Sequence, residues 1–161
     1  MFGKFTFWFP AREKKIIIPN LIVDQGKTDF IKMIVLADTS VVASGGNFYI
    51  GLASDVAFAV DSTLSDITDE PSGNGYSRQA VERNSTGWPT IDVVNGQARA
   101  QSKVVTFSAT GGDWDKTIKR AFLCNVSSGS TGRLFAFSGA LEDDLQVSDG
   151  ENFQVQYEVF I

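Results

Sequence analysis

The chain carries 19 Asp and Glu, one Cys and no His. Without His it lacks the commonest general base and the commonest transition-metal ligand. A Ser-His or Cys-His nucleophile pair is closed to it, and acid–base chemistry falls to carboxylates alone. The acids gather in three places: Asp55, Asp61, Asp66, Asp69 and Glu70; Asp113 and Asp115 around Trp114; and Glu142, Asp143 and Asp144. Glycoside cleavage needs two carboxyl groups at a fixed separation, one with a raised pKa, and nothing in the spacing sets any two across a cleft. Clustered carboxylates also suit Ca²⁺, but the alternating ligand spacing of a helix-loop-helix calcium site is missing. These acids read as solvated loop charge, so no catalytic residue, metal or cofactor is expected.

Three aromatic residues offer a different chemistry. Tyr76, Trp88 and Trp114 could stack on sugar rings, since Trp88 precedes Pro89 and Trp114 lies in a Gly-rich turn. The competing reading makes them plugs of a hydrophobic core. Gly73-Asn74-Gly75 and Gly129-Ser130-Thr131-Gly132 lack the Lys-Ser/Thr ending of a phosphate loop. Cys124 sits in an apolar run and reads as inert core. Asn84-Ser85-Thr86 and Asn125-Val126-Ser127 match the glycosylation sequon without a secretion signal to give it meaning.

The elements that must position these residues are mainly strands. The 161 residues suit one domain, and 43% apolar content with 13 Phe supplies a core. Net charge of -5 argues against a nucleic-acid partner. No apolar run is long enough for a membrane-spanning helix, which needs roughly 18 residues. Residues 1–10 do not read as a signal peptide, because Arg12, Lys14 and Lys15 follow the apolar run. Folding in a reducing cytoplasm is expected, and a lone Cys allows no internal disulfide.

Phe153, Val155, Tyr157, Val159 and Ile161 alternate with Asn152, Gln154, Gln156 and Glu158, the mark of an antiparallel strand with one wet face. Strands are also expected at 16–18, 48–52, 76–82, 91–94, 105–109, 118–124 and 134–137. Ser44-Gly45-Gly46 and Asn95-Gly96 read as turns, the latter a hairpin. Phe30, Met33, Ile34 and Ala37 recur at helical spacing, so a helix is expected over about 27–38, capped by Asp24 or Thr28. Ile31, Val35 and Leu36 make it apolar on more than one face, so it should be sandwiched. Leu64 and Ile67 would anchor a short helical turn in the acidic loop. Together these elements predict an antiparallel β-sandwich of jelly-roll type with one helix in the N-terminal half.

Residues 1–15 read as an aromatic arm, and residues 16–161 as the sandwich domain. Phe2, Phe5, Phe7, Trp8 and Phe9 would be costly to expose. Two routes bury them: a strand added to the arm's own domain, or docking on a neighbouring subunit. On the second route these five residues form a subunit interface.

The segment Gly75-Tyr76-Ser77-Arg78-Gln79-Ala80-Val81 is followed by Trp88, Val104-Val105-Thr106-Phe107, Thr110-Gly111-Gly112-Asp113-Trp114, Ala121-Phe122-Leu123 and Leu134-Phe135-Ala136-Phe137. This order resembles small structural proteins of tailed bacteriophages. There a Gly-Tyr-x-Arg-Gln segment precedes a strand, a Thr-Gly-x-x-Trp turn follows, and a Gly-Asp-like turn leads into the last strand. Here Asp149-Gly150 stands in that last place in reversed order. The resemblance spans about residues 20–161 and leaves the aromatic arm outside it. It implies a non-enzymatic virion protein that packs against copies of itself and other virion subunits, assembled in the host cytoplasm. The expected place is the exterior of the head or neck; the alternative is a tail or tail-fibre component with a glycan- or receptor-binding role.

Overall fold

A computed structural model describes residues 2–38, 40, 46–54 and 57–161. The expected Ser44-Gly45 turn, Asp55 and the side chain of Ile34 lie outside the described residues. Ten strands form one antiparallel sheet: β1 (Phe2–Phe9), β2 (Lys14–Ile22), β3 (Asn47–Ala53), β4 (Gln79–Glu82), β5 (Thr90–Val94), β6 (Gln97–Gln101), β7 (Val105–Ser108), β8 (Arg120–Cys124), β9 (Leu134–Ser138) and β10 (Asn152–Phe160). Their order is β4-β3-β8-β9-β2-β1-β10-β6-β5, with β7 also paired to β10. The sheet curls into a half-barrel with one helix, α1 (Asp24–Val35). The mainly β, antiparallel expectation holds, whereas two stacked jelly-roll sheets are not confirmed. Alternation fixes which face of a strand is wet, but not whether its neighbours close one sheet or two.

The aromatic segment takes the first of its two routes. β1 lies in the middle of the sheet, with seven register pairs to β10 and seven to β2. Phe5, Phe7 and Phe9 point into the core, so segments 1–15 and 16–161 share one sheet and one core. On the same face β10 contributes Phe153, Val155, Tyr157 and Val159, all buried. Phe9 stacks on Phe153 and Phe5 packs against Tyr157, at ring centroids 5.5 and 4.7 Å apart. Fully burying side chains of this size contributes about 1.5–3 kcal/mol each.

The helix begins three residues before the expected start and ends earlier. No side chain caps it. Instead Val23 and Asp24 donate their N–H groups to the carbonyls of Phe135 and Val60, at 3.1 and 2.8 Å. Tertiary partners thus satisfy two N–H donors that the first turn of the helix leaves unpaired. Asp24 pairs with Lys27 at 2.8 Å, and Thr28 donates back to the Asp24 carbonyl. Gly26 lets α1 approach β9, because a Cβ there would collide with the Phe135 carbonyl oxygen. Among the described residues the helix is not sandwiched: Ile31, Val35 and Leu36 are exposed, while Phe30 packs on Phe135.

The local turns follow their residues. Asn95 and Gly96, both at positive φ, close the β5–β6 hairpin. Leu64–Asp66 forms a 3₁₀ turn with a reciprocal Thr63–Asp66 capping box, and Leu64 and Ile67 are buried beneath it.

Candidate functional site

The chemistry-bearing residues divide into an internal brace and what remains on the surface. Arg78 is the centre of the brace. Its Nε and Nη2 donate to the two Glu70 oxygens at 2.8 and 2.7 Å. Nη1 and Nη2 also donate to the carbonyls of Val126 and Gly129 at 3.2 and 2.9 Å, and Nη1 lies 3.6 Å from the Cys124 sulfur. All five guanidinium N–H groups therefore have a partner. The cation also sits over the Phe122 ring, 5.2 Å from its centroid. Tyr76 donates its hydroxyl to Glu70 at 2.7 Å and accepts the Leu52 N–H at 2.9 Å. Desolvation, reinforced by the Glu70 charge, holds the Tyr76 phenol well above its ordinary pKa.

One side chain thus ties the acidic loop to β8 and to the loop after it. The Gly-Tyr-x-Arg run supplies both Tyr76 and Arg78, separated by a single residue so that both turn inward. Gly75, at φ +82, makes the preceding bend, and a Cβ there would collide with the Thr110 hydroxyl.

Several other acids are braces too. Asp69 pairs with Lys116 at 2.8 Å, Asp144 with Lys119 at 2.6 Å, and Glu151 with Arg12 at 3.0 Å. Asp115 accepts the backbone N–H and the hydroxyl of Ser72, both at 2.8 Å, and these bonds lower its pKa. Asp113 accepts the Asp149 N–H at 2.8 Å, and Asp149 accepts that of Gly111 at 2.9 Å. Loop acids holding nearby backbone N–H groups are the physical content of the Thr-Gly-x-x-Trp and Asp-Gly turns. Among the described residues, no three Asp, Glu, Cys or His come together as a metal-binding group.

The structure does not bring Tyr76, Trp88 and Trp114 together on the surface. Trp114 is buried and donates Nε1–H to the Asn74 carbonyl at 3.2 Å. Tyr76 meets it edge-on in the core, with centroids 5.2 Å apart. Trp88 is half-buried against Phe48 and Tyr157, and one edge lines an open groove with Arg83, Asn84, Ser85 and Ile91. Trp114 lies in the core, Tyr76 is partly buried against it, and the three rings share no common face.

Of the aromatic segment, Phe2 is exposed and stacks on Phe160, with centroids 4.9 Å apart, and Trp8 is half-buried on the outer face. An interface through Phe5, Phe7 or Phe9 would require exchange of the whole strand.

Cys124 is buried, and burial pushes its thiol up to about 11. Iodoacetamide at pH 8 should therefore leave the folded protein unmodified and label it within minutes in urea. Comparable labelling in both states would refute an inert core thiol.

The surface left over is apolar at one end of the sheet. Ile91 and Val93 of β5 are 76% and 70% exposed, and Ile161, just past β10, is 62% exposed. The register aligns Ile91 with Ala100 and Val159, and Val93 with Ala98. Ile161 exchanges backbone hydrogen bonds with Ala98. These residues share the core-facing side of the sheet, at an end where nothing of this chain covers them among the described residues. The opposite side of the same ribbon is ionic: Arg99 pairs with Asp92 at 2.6 Å and Glu158 at 3.5 Å, and Lys4 meets Glu158 at 3.3 Å. β5 is also the last strand of the sheet, so its outer backbone edge has no strand partner among the described residues. Sequence reasoning did not single out this surface, although the alternation at Ile91 and Val93 was a signal for it.

Residues 34–159 match the family model described as podophage GP4 fiber I protein gp80. No curated protein matches the chain.

Proposed function

The chain belongs to the podophage GP4 fiber I protein gp80 family and is a virion component of a tailed phage, and from that premise we propose that it is a non-enzymatic subunit of the tail or fibre apparatus. The family description supports a fibre position over the head or neck exterior. The same description, of a structural fibre protein, supports the non-enzymatic reading.

The observation that carries the subunit reading is the uncovered apolar end of the sheet. An unpaired edge strand beside an exposed apolar face is a template for association, and monomeric proteins blunt such edges with charge. Here the charges lie on the other side of the ribbon. β5 and its neighbours therefore serve as the contact to a second copy or to another virion subunit. The exposed helix face of Ile31, Val35 and Leu36 is a second contact of the same kind.

The purified wild-type chain should self-associate at micromolar concentration in light scattering. Ile91→Lys with Val93→Lys should weaken that association at least tenfold, about 1.4 kcal/mol, without lowering the melting temperature. A wild-type chain that stays monomeric, together with normal incorporation of the double variant into particles, would remove the β5 surface from the assembly. Cryo-EM of the virion tests the position directly, with density for this chain expected on the tail or its fibres.

A further inference from the structure

A cleft of about 320 Å³ lies on the outer face of the sheet, lined by Thr6, Trp8, Lys15, Val104, Gln154 and Gln156 with the backbone of residue 155. The sheet register places these groups side by side. Trp8 is flanked by Lys15 on β2 and by Gln154 on β10, and Thr6 lies beside Gln156. The volume is at the lower end of small-molecule sites. Both edges of β1 are already paired, so an extended peptide has no strand edge to join at this place.

Four of the polar groups here are unspent. Among the described residues, the Trp8 indole N–H, the Thr6 hydroxyl, the Gln154 amide and the Lys15 ammonium have no hydrogen-bond or ion partner within the chain. Trp114 differs, with its N–H engaged by Asn74. Gln156 is held in place, donating to the Ser102 carbonyl at 2.9 Å and accepting from Gln101 at 3.4 Å. A half-exposed indole with amides and a hydroxyl at its edge matches a ligand with one apolar face and a polar rim. A pyranose ring has that form: its C–H face lies on the indole, and vicinal hydroxyls meet an amide that offers both a donor and an acceptor. Lys15 is the only ionised group in the lining, and no carboxylate opposes it.

We propose that this outer-face cleft binds one pyranose ring of a bacterial surface polysaccharide, a uronic acid in preference to a neutral sugar. Trp8 is the stacking platform, Gln154, Gln156 and Thr6 read the hydroxyls, and Lys15 meets the carboxylate. This inference rests on the tail or fibre reading above, since only an outward-facing subunit would meet such a ligand.

The test is an array of bacterial surface polysaccharides, followed by titration of the full chain with trigalacturonate and with maltotriose, read by NMR and Trp fluorescence. Saturable binding is expected, several-fold tighter for the acidic probe. Trp8→Ala and Gln154→Leu should each weaken it at least tenfold, and Lys15→Gln should remove the preference for the acidic probe. Should Trp8→Ala fail to fold, Gln154→Leu and Lys15→Gln decide, because both change the lining at the outer face. Absence of saturable binding across the array, or binding indifferent to these variants, overturns the inference. So does capture of another virion subunit by this cleft. Cryo-EM keeps the two readings apart: a chain seated on the tail that binds no glycan overturns this inference alone, and a chain absent from the tail overturns the reading beneath it.

Discussion

Deleting residues 1–10 is expected to abolish the cooperative unfolding transition and the near-UV circular dichroism of the protein. β1 joins β2 to β10 across the middle of the sheet, and its loss leaves β2 without a partner along most of its length and strips β10 of every pairing on one side. It also removes Phe5, Phe7 and Phe9 from the core. Truncating one buried Phe costs about 3–5 kcal/mol, so three cost roughly 9–15 kcal/mol by addition. That equals or exceeds the whole stability of a typical domain, about 5–15 kcal/mol. Phe7→Ala alone should fold with a loss of about 3–5 kcal/mol. A peptide spanning residues 1–12 should restore structure to the shortened chain in trans, because the vacated slot offers paired strand edges and three aromatic pockets. A shortened chain that melts cooperatively by itself, with unchanged near-UV signal, would show that the segment is a free arm after all.

The second large effect is expected at Arg78. Arg78→Ala should lower stability by about 3–5 kcal/mol, the usual cost of removing one partner from a buried ion pair. For a chain of this size that is a fall of about 6–20 °C in melting temperature. The loss has several sources: the bidentate pair to Glu70, the two loop carbonyls of Val126 and Gly129, and the contact with Phe122. Glu70 and the Tyr76 hydroxyl are then left to share a buried site without a cation. Arg78→Lys should recover less than half, since an ammonium cannot reproduce the planar fork. Ser77→Ala, one residue away at an exposed position, should stay within about 0.5 kcal/mol of wild type. Urea titrations of the four proteins decide it, and an Arg78→Ala change below 1 kcal/mol would show that the brace is dispensable. Hydrogen exchange adds a spatial check. Protection should fall first in the acidic loop and in residues 125–132, the two segments that Arg78 holds.

These two effects show how a motif can be read for its physics. Gly75, Tyr76 and Arg78 were visible as a phage-like signature, but the signature gives no reason for itself. In the folded chain the reason is a five-donor guanidinium bracing two loops, with Tyr76 as the second hand on Glu70. Likewise the Asp-rich turns looked like idle solvated charge, and they hold backbone N–H groups at the loops they join.

The amino-acid sequence by itself determined the strand-rich class, the wet and dry faces of β10 as far as Tyr157, the Asn95-Gly96 hairpin, the Leu64 turn and the exclusion of histidine chemistry; beyond Tyr157 the reading breaks down, with Glu158 buried and Ile161 exposed. Each of these depends on residues close together in the chain, where alternation, turn geometry or composition is sufficient. Tertiary structure decided the rest. One partner of β1, β10, lies at the far end of the chain, so local alternation could not distinguish a central strand from a free arm. The single sheet, the start of α1 and the exposure of Ile31, Val35 and Leu36 depend in the same way on where distant carbonyls and side chains arrive. The fate of the aromatics was decided there too. Trp114 and Tyr76 went into the core because neighbours on other strands closed over them. Trp8, counted among the arm residues, was left on the outer face beside Gln154 and Lys15 because its own strand came to lie between β2 and β10.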